Sequence, residues 1–314
     1  MALDEATTGL LAQLAQLDAK PLHEMTPEQA RDFTATLSEQ TGPGPSVHRV
    51  RDTRVHVSGG AVPVRILTPS EHPRGVIVWY HGGGWVIGGI DEAEPLGRTM
   101  AARTDCVVVL VDYRMAPEYR FPTAVDDAWA ALRWTFDHLD DLVGGPAPVI
   151  VAGDSAGGNL AAVVAQRAVR TGGPVPALQV LVYPVTDCDL ATTTYQDPEN
   201  QLLLGRDSMI WFWDHYAPDP LSRVHPDAAP LRGDFLRLPP AVILTAEHDV
   251  LRDEGELYAT RLLKANVPVR HRRFTGQMHG FFTMIGALPG ADAGMDYVVE
   301  AIDEELKGAA EQAG

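Results

Sequence analysis

The chain has 314 residues, 45% of them hydrophobic, with 42 acidic against 25 basic side chains and a formal charge of −17. That balance argues against nucleic acid or an anionic membrane surface as a partner, since both need basic patches. No apolar run approaches the roughly 20 residues of a membrane span, and two cysteines, Cys106 and Cys188, do not make a disulfide framework.

The N-terminus, MALDEATTGLLAQL, is acidic and has no basic n-region. With only two cysteines, which permit a reducing compartment, it leads to the expectation of a soluble, cytoplasmic protein. Leu10, Leu11, Leu14 and Leu17 recur at helical spacing. A second helix is predicted from Thr26-Pro27-Glu28-Gln29, with Thr26 at the N-cap, Pro27 at the first helical position and Gln29 closing a capping box. Strands around Val47–Val57 and Val62–Leu67 flank Gly59-Gly60 and read as a hairpin.

After Gly75, near-continuous apolar runs alternate with helical patterns. The runs are Val76–Tyr80, Val107–Asp112, Val149–Gly153, Leu178–Tyr183 and Ala241–Ala246. They are short and rich in β-branched residues, the signature of parallel strands buried on both faces. Helical stretches, Thr123–Asp141 and Asn159–Arg170 among them, complete an α/β pattern. Ligands bind such sheets at the C-terminal ends of the strands. One interval, Val185 to Leu238, holds no buried strand. It contains a loop-like part, Thr186 to Asn200, and an aromatic helix candidate, DSMIWFWDHY, at Asp207–Tyr216. An insertion of this length is usually functional.

The chemistry follows the runs. Gly153-Asp154-Ser155-Ala156-Gly157 fits G-x-S-x-G, with a strand before it and a helix after it. A serine on that sharp turn tolerates only small residues two positions away on either side. Its hydroxyl needs a base and an orienting acid further along the chain. Of 11 histidines, only His279, in the loop Gly276–Phe281 after the last strand, combines the required order with a mobile position. Asp249, at the end of the run Ala241–Ala246, is the preferred acid. Asp253 and Glu254 read as acids in the first turn of the next helix. The glycines of HGGGWVIGG, His81 to Gly89, fail both phosphate-loop spacings, because Ile87 replaces the third glycine and no lysine follows. They suit a backbone turned to aim peptide N–H groups at a developing oxyanion.

HGGGW (81–85), YRMAPE (113–118), GDSAGGN (153–159), DVLRDEG (249–255) and HGF (279–281) together resemble the hormone-sensitive-lipase-like carboxylesterases of the α/β-hydrolase superfamily. The resemblance runs from about residue 45 to the C-terminus. It departs at Val250, where the family often has proline, and at Met115, where leucine is commoner. It implies an α/β-hydrolase fold, hydrolysis of carboxylic esters and no cofactor; no metal site is expected either, since the histidines and two cysteines show no ligand spacing. It further implies Ser155 as nucleophile, Asp249 as acid and His279 as base. The N–H groups of Gly83, Gly84 and Ala156 would form the oxyanion hole, and His81 would fix the loop.

The implied organisation is an N-terminal helical part of a cap (1–45), a catalytic core (46–185 and 235–314) and a cap insertion (186–234). Trp85, Met209, Ile210, Trp213 and Tyr216 are then candidates for the substrate pocket, although an aromatic stripe at helical spacing is also the pattern of a core. The expected partner is a small-molecule ester, short to medium in chain length. An amide, formamide or acetylated small molecule is the alternative, and a non-catalytic receptor on the same fold is a further one. Relatives of this kind often dimerise along a sheet edge, and VPVRHRRF (267–274) is the candidate edge for a homodimer, although its charges fit equally a strand guarded against association.

Overall fold

The computed structural model describes residues 2–17, 19–38 and 42–313. The chain opens with helices α1 (Glu5–Ala15) and α2 (Pro27–Ser38). The capping box forms as the sequence predicts: Gln29 N donates to Thr26 Oγ1 at 3.2 Å, and Thr26 N donates to Gln29 Oε1 at 3.0 Å. The hairpin follows as β1 (Arg49–Val57) and β2 (Gly60–Thr68), with Val57 opposite Gly60. Ser58 and Gly59 alone make the turn, so Gly60 belongs to the strand.

From β3 (Val76–Tyr80) the strands alternate with helices: α3 (Ile90–Thr104), β4 (Val107–Val111), α4 (Thr123–Asp137), α5 (Leu139–Val143), β5 (Val149–Asp154), α6 (Ala156–Thr171) and β6 (Leu178–Val182). The single helix predicted over 123–141 is two, because the backbone leaves the helical region at His138 (φ −118°, ψ 17°). The interval after β6 carries α7 (Thr193–Gln196), α8 (Arg206–Tyr216) and α9 (Pro220–Arg223) and contains no strand. The chain closes with β7 (Ala241–His248), α10 (Arg252–Lys264), β8 (Val269–Met278) and α11 (Pro289–Ala313).

The eight strands form one sheet in the order β1-β2-β4-β3-β5-β6-β7-β8. β3 to β8 run parallel, and the hairpin joins antiparallel at one edge. Strands β3, β4, β5, β6 and β7 are buried at every residue, because helices cover both faces. This is why each reads as a near-continuous apolar run, with Gln179 in β6 and Thr245 in β7 as buried polar exceptions within the runs. The chain passes from β3 to β4 on one side, then crosses back so that β5 pairs with the other side of β3. The crevice beyond Tyr80 and Asp154 is therefore the switch point at which such sheets bind ligands.

Candidate active site

Every chemically singled-out residue lies just beyond the C-terminal end of a parallel strand: the 81–89 loop after β3, Ser155 after β5, Asp249 after β7 and His279 after β8. Ser155 stands on a sharp turn with φ 54° and ψ −117°, a backbone region that costs a non-glycine residue on the order of 1–3 kcal/mol. The flanking glycines explain how the turn is possible. A Cβ on Gly153 would lie 2.4 Å from the Gly157 carbonyl, and one on Gly157 would lie 1.9 Å from the Tyr80 oxygen.

The turn presents Ser155 Oγ to His279 Nε2 at 3.1 Å, and His279 Nδ1 lies 2.7 Å from Asp249 Oδ2. Asp249 is fully buried, and its Oδ1 accepts the Leu251 N–H at 2.9 Å. With both carboxylate oxygens engaged, Nδ1 of His279 carries the proton and Nε2 is left to accept from the serine hydroxyl. A chain of this kind can draw a proton from Ser155 while the charge on the imidazolium is balanced. Glu254 and Asp253 do not face His279. Glu254 Oε1 instead accepts Thr186 N at 2.6 Å and Asp187 N at 3.2 Å, and Asp253 Oδ2 accepts Thr194 N. Together with the bond from the Thr194 hydroxyl to the Val250 carbonyl, they fasten the start of the 186–234 interval to the Asp249 loop. Asn159 does the same from α6, donating to the carbonyls of Val185 and Ala228.

The 81–89 loop is held by side chains behind it. His81 is buried, which pushes its pKa down to about 4 and keeps the ring neutral. Its Nδ1 donates to the Gly82 carbonyl at 2.7 Å. Tyr113 stacks on the His81 ring at 4.3 Å and donates its hydroxyl to the His81 carbonyl at 2.8 Å. Asp154 Oδ1 accepts the Gly82 N–H at 2.9 Å. Burial raises the Asp154 carboxyl to about 6, against the opposing influence of His279 and the Gly82 N–H. Arg31 reaches over from α2, donating to the carbonyls of Val86 and Ala116, each at 2.8 Å, and pairing bidentately with Glu118. The YRMAPE segment thus supports this loop, except for Arg114, which grips the buried Asp127 of α4.

Positive φ at Gly83 (98°), Gly84 (58°) and Gly88 (93°) turns the loop. A Cβ at Gly83 would meet the Ile87 carbonyl oxygen at 2.2 Å, and one at Gly88 would meet His81 Nδ1 at 2.9 Å. Gly89 is extended and free of close contacts, so of the two glycines without a role in the sequence reading only Gly88 is sterically required. Ala156 opens α6 immediately after Ser155.

Of the residues named for a substrate pocket, Trp85, Met209, Trp213 and Tyr216 are buried in one core cluster, with Trp85 stacked on Tyr216 at 4.1 Å and against Trp213 at 4.8 Å. Ile210 is half-buried. Trp213 and Tyr216 thus meet the loop at Trp85, and the α8 side chain that lies over Gly84 is Phe212, whose ring atoms lie 2.1–2.4 Å from where a Gly84 Cβ would be. Sequence reasoning passed over Phe212. It also passed over Tyr183, which has φ 33° and packs its ring 4.5 Å from that of His279. The signal for Tyr183 was available, since it directly follows a buried strand.

A hydrogen-bonded serine–histidine–aspartate chain, a glycine loop and a strand-to-helix turn at the switch point of a parallel sheet define a hydrolase of the α/β type. Residues 77–283 match the family described as alpha/beta hydrolase fold. Carboxylesterase NlhH of Mycobacterium tuberculosis is 41% identical over 236 residues, 73% of this chain and 74% of that protein. Ethyl acetate hydrolase of Pseudomonas putida is 34% identical over 294 residues, 91% of this chain and 92% of that one. Among solved structures, the hyperthermophilic esterase of Pyrobaculum calidifontis superposes with a TM-score of 0.91 at 36% identity, covering 97% of this chain and 99% of that one. The chain belongs to the α/β-hydrolase family, in its hormone-sensitive-lipase-like branch, and is a carboxylic ester hydrolase acting on small-molecule esters.

Proposed function

We propose that the protein hydrolyses short- to medium-chain carboxylic esters through an acyl-enzyme formed on Ser155. The observation that carries this is the continuous hydrogen-bonded chain from Ser155 Oγ through His279 to Asp249. His279 Nε2 takes the hydroxyl proton as Oγ attacks the ester carbonyl. The tetrahedral oxyanion is met by the N–H groups of Gly83, Gly84 and Ala156. His279 returns the proton to the alcohol oxygen as the C–O bond breaks, leaving the acyl group on Ser155. Water, deprotonated by the same imidazole, then attacks the acyl carbonyl and releases the acid and the free serine. Asp249 holds the histidine tautomer and balances the imidazolium without taking its proton.

The preference for short acyl groups rests on Phe212 lying against Gly84 and on the burial of Ser155, only 6% exposed. Ethyl acetate hydrolase, similar over most of this chain, is named for a short ester. A series of p-nitrophenyl esters tests it: kcat/KM peaks at short chains, and a steady rise beyond about ten carbons overturns the assignment. The N-terminal helices and the 186–234 interval form a cap in this reading. In support, the turn Leu22–Glu24 packs on α8, and Arg31 joins α2 to the glycine loop.

The protein forms a homodimer across β8, which lies at the sheet edge with Arg270 paired to Glu300 and Glu304 and Arg273 to Glu256, so these charges do not oppose association. A monomeric mass by light scattering rules that out. Its place is the cytoplasm, consistent with the free thiols of Cys106 and Cys188. Among the described residues no helix is long and apolar enough to cross a membrane.

A further inference from the structure

The N–H of Gly83 is one of the proposed oxyanion donors, so what aims it matters. It belongs to the peptide plane between Gly82 and Gly83, and in a trans peptide the N–H points opposite to the carbonyl of the same plane. That carbonyl, Gly82 C=O, accepts His81 Nδ1 at 2.7 Å. The other end of Gly82, its N–H, is taken by Asp154 Oδ1 at 2.9 Å. Glycine has the widest φ/ψ freedom of any residue, so Gly82 stays in one conformation when both of its ends are tied. The fit is close as well as polar. A Cβ on Gly82 would lie 2.2 Å from Asp154 Oδ2, leaving no room for a side chain between loop and carboxyl.

We infer that Asp154 is a positioning residue: by holding the Gly82 N–H it aims the Gly83 N–H at the oxyanion. The inference rests on the reading of Ser155 as nucleophile and of Gly83 as a donor. Its consequence is that attacking oxygen and oxyanion donor are referred to one strand end, since the residue just before Ser155 in the chain holds the loop by a hydrogen bond. Asp154 is 8% exposed and ends β5, whose residues Gly153 and Asp154 are locked by the sheet. The other fastenings, Tyr113 on the His81 carbonyl, the Val86 and Ile87 N–H groups on the Gly83 carbonyl, the Ala116 N–H on the Trp85 carbonyl and Arg31 on the Val86 carbonyl, act on neighbouring peptide planes. They leave the rotation of the Gly82–Gly83 plane to His81 and Asp154.

The test compares Asp154→Asn, Asp154→Ala and Ser155→Ala, using a short p-nitrophenyl ester and a trifluoromethyl ketone that forms a tetrahedral adduct with the serine. Asparagine keeps an oxygen acceptor for Gly82, whereas alanine does not. Expected for Asp154→Ala is a fall in kcat of about 10–100-fold, less than loss of a donor itself, with KM within about threefold and ketone affinity weakened in step with kcat. Asp154→Asn is expected to stay within about fivefold of the parent in kcat and ketone affinity. A folded Asp154→Ala with unchanged kcat, a loss confined to KM, or an Asp154→Asn as impaired as the alanine variant each overturns the inference. If the alanine variant does not fold, Asp154→Asn decides alone: a kcat loss beyond about tenfold overturns it. Substantial turnover by Ser155→Ala would instead overturn the underlying reading, whatever the Asp154 variants do.

Discussion

The two sides of the active centre are built by opposite means. On the proposed proton-transfer side, three side chains form one hydrogen-bonded chain, each placed by the end of a different strand: Ser155 by β5, Asp249 by β7 and His279 by β8. On the proposed oxyanion side, the groups assigned to face the reaction are backbone amides, and the side chains work from behind. Asp154, His81, Tyr113 and Arg31 grip that loop, and Phe212 leans on it. Strand ends are rigid, so the first side needs little further support. A run of glycines is not rigid, so the second needs several fastenings from distant parts of the chain.

The largest effects belong to the proton-transfer side. Ser155→Ala and His279→Ala should each lower kcat by on the order of 10⁶, and combining them should cost little more, because the pair acts as a unit. Asp249→Asn should cost about 10⁴ by favouring the wrong imidazole tautomer. Steady-state rates on one short ester check all three. A combined loss close to the product of the single losses would break the picture of one proton-transfer unit.

Next comes a contrast within the loop. Gly83→Ala and Gly84→Ala should each lower kcat by about 10²–10³. The obstacle at Gly83 is backbone, the Ile87 carbonyl, whereas at Gly84 it is the Phe212 ring. Phe212→Ala should therefore restore part of the activity of Gly84→Ala and none of that of Gly83→Ala. Equal rescue of both in a double-mutant cycle would show that the steric contrast is not what limits them.

Stability gives a smaller effect. The Asp154 carboxyl is raised from 3.8 to about 6, chiefly by burial, so above its usual pKa the folded protein binds more protons there than the unfolded chain. Stability is accordingly lost as pH rises from about 4 to about 6, by of the order of 3 kcal/mol, and is flat beyond. Asp154→Asn is neutral throughout, so its melting temperature relative to the parent should climb across that window in thermal melts. A constant difference would mean that the carboxyl titrates normally.

The smallest effect belongs to the outermost fastening. Arg31 holds the Glu118 carboxyl down at about 2, so that pair stabilises above the usual glutamate pKa and is lost as pH falls through about 2. Both partners are partly exposed, which limits the ion pair to about 0–1 kcal/mol. Arg31→Gln also gives up two carbonyl contacts. It should lower the melting temperature by a few degrees and kcat by only a few-fold.

The same division decides how much the sequence disclosed. Buried parallel strands read as near-continuous apolar runs, so the sheet was legible from Val76 onward, and the trio Ser155, Asp249 and His279, which the fold brings within hydrogen-bond reach, could be picked out because such side chains follow strand ends in a set order. Asp154 lay inside a recognised motif, yet its partner is a bare N–H 72 residues earlier. Arg31 bonds carbonyls 55 and 85 residues away, and a carbonyl acceptor leaves no mark in composition or periodicity. Glu254 looked like an acid favoured by a helix dipole because its true partners, the N–H groups of Thr186 and Asp187, are likewise backbone. On α8, a helical repeat of aromatics does not say which ring faces the core and which faces a ligand. Phe212 could be singled out only once Gly84 lay beneath it.

The stitching of the 186–234 interval to the Asp249 loop bears on exchanging that interval between related enzymes. The junction asks specific things of the incoming sequence: donating N–H groups at 186 and 187, a hydroxyl at 186 for the Glu254 carbonyl and one at 194 for the Val250 carbonyl. At the far end, Asn159 and Gln166 of α6 need the carbonyls of 228 and 230, Arg167 and Arg170 need the Asp227 carboxylate, and Gln166 leaves no room for a side chain at Gly233. A transplant has to reproduce these few points, whatever the rest of its sequence, to be held as this segment is.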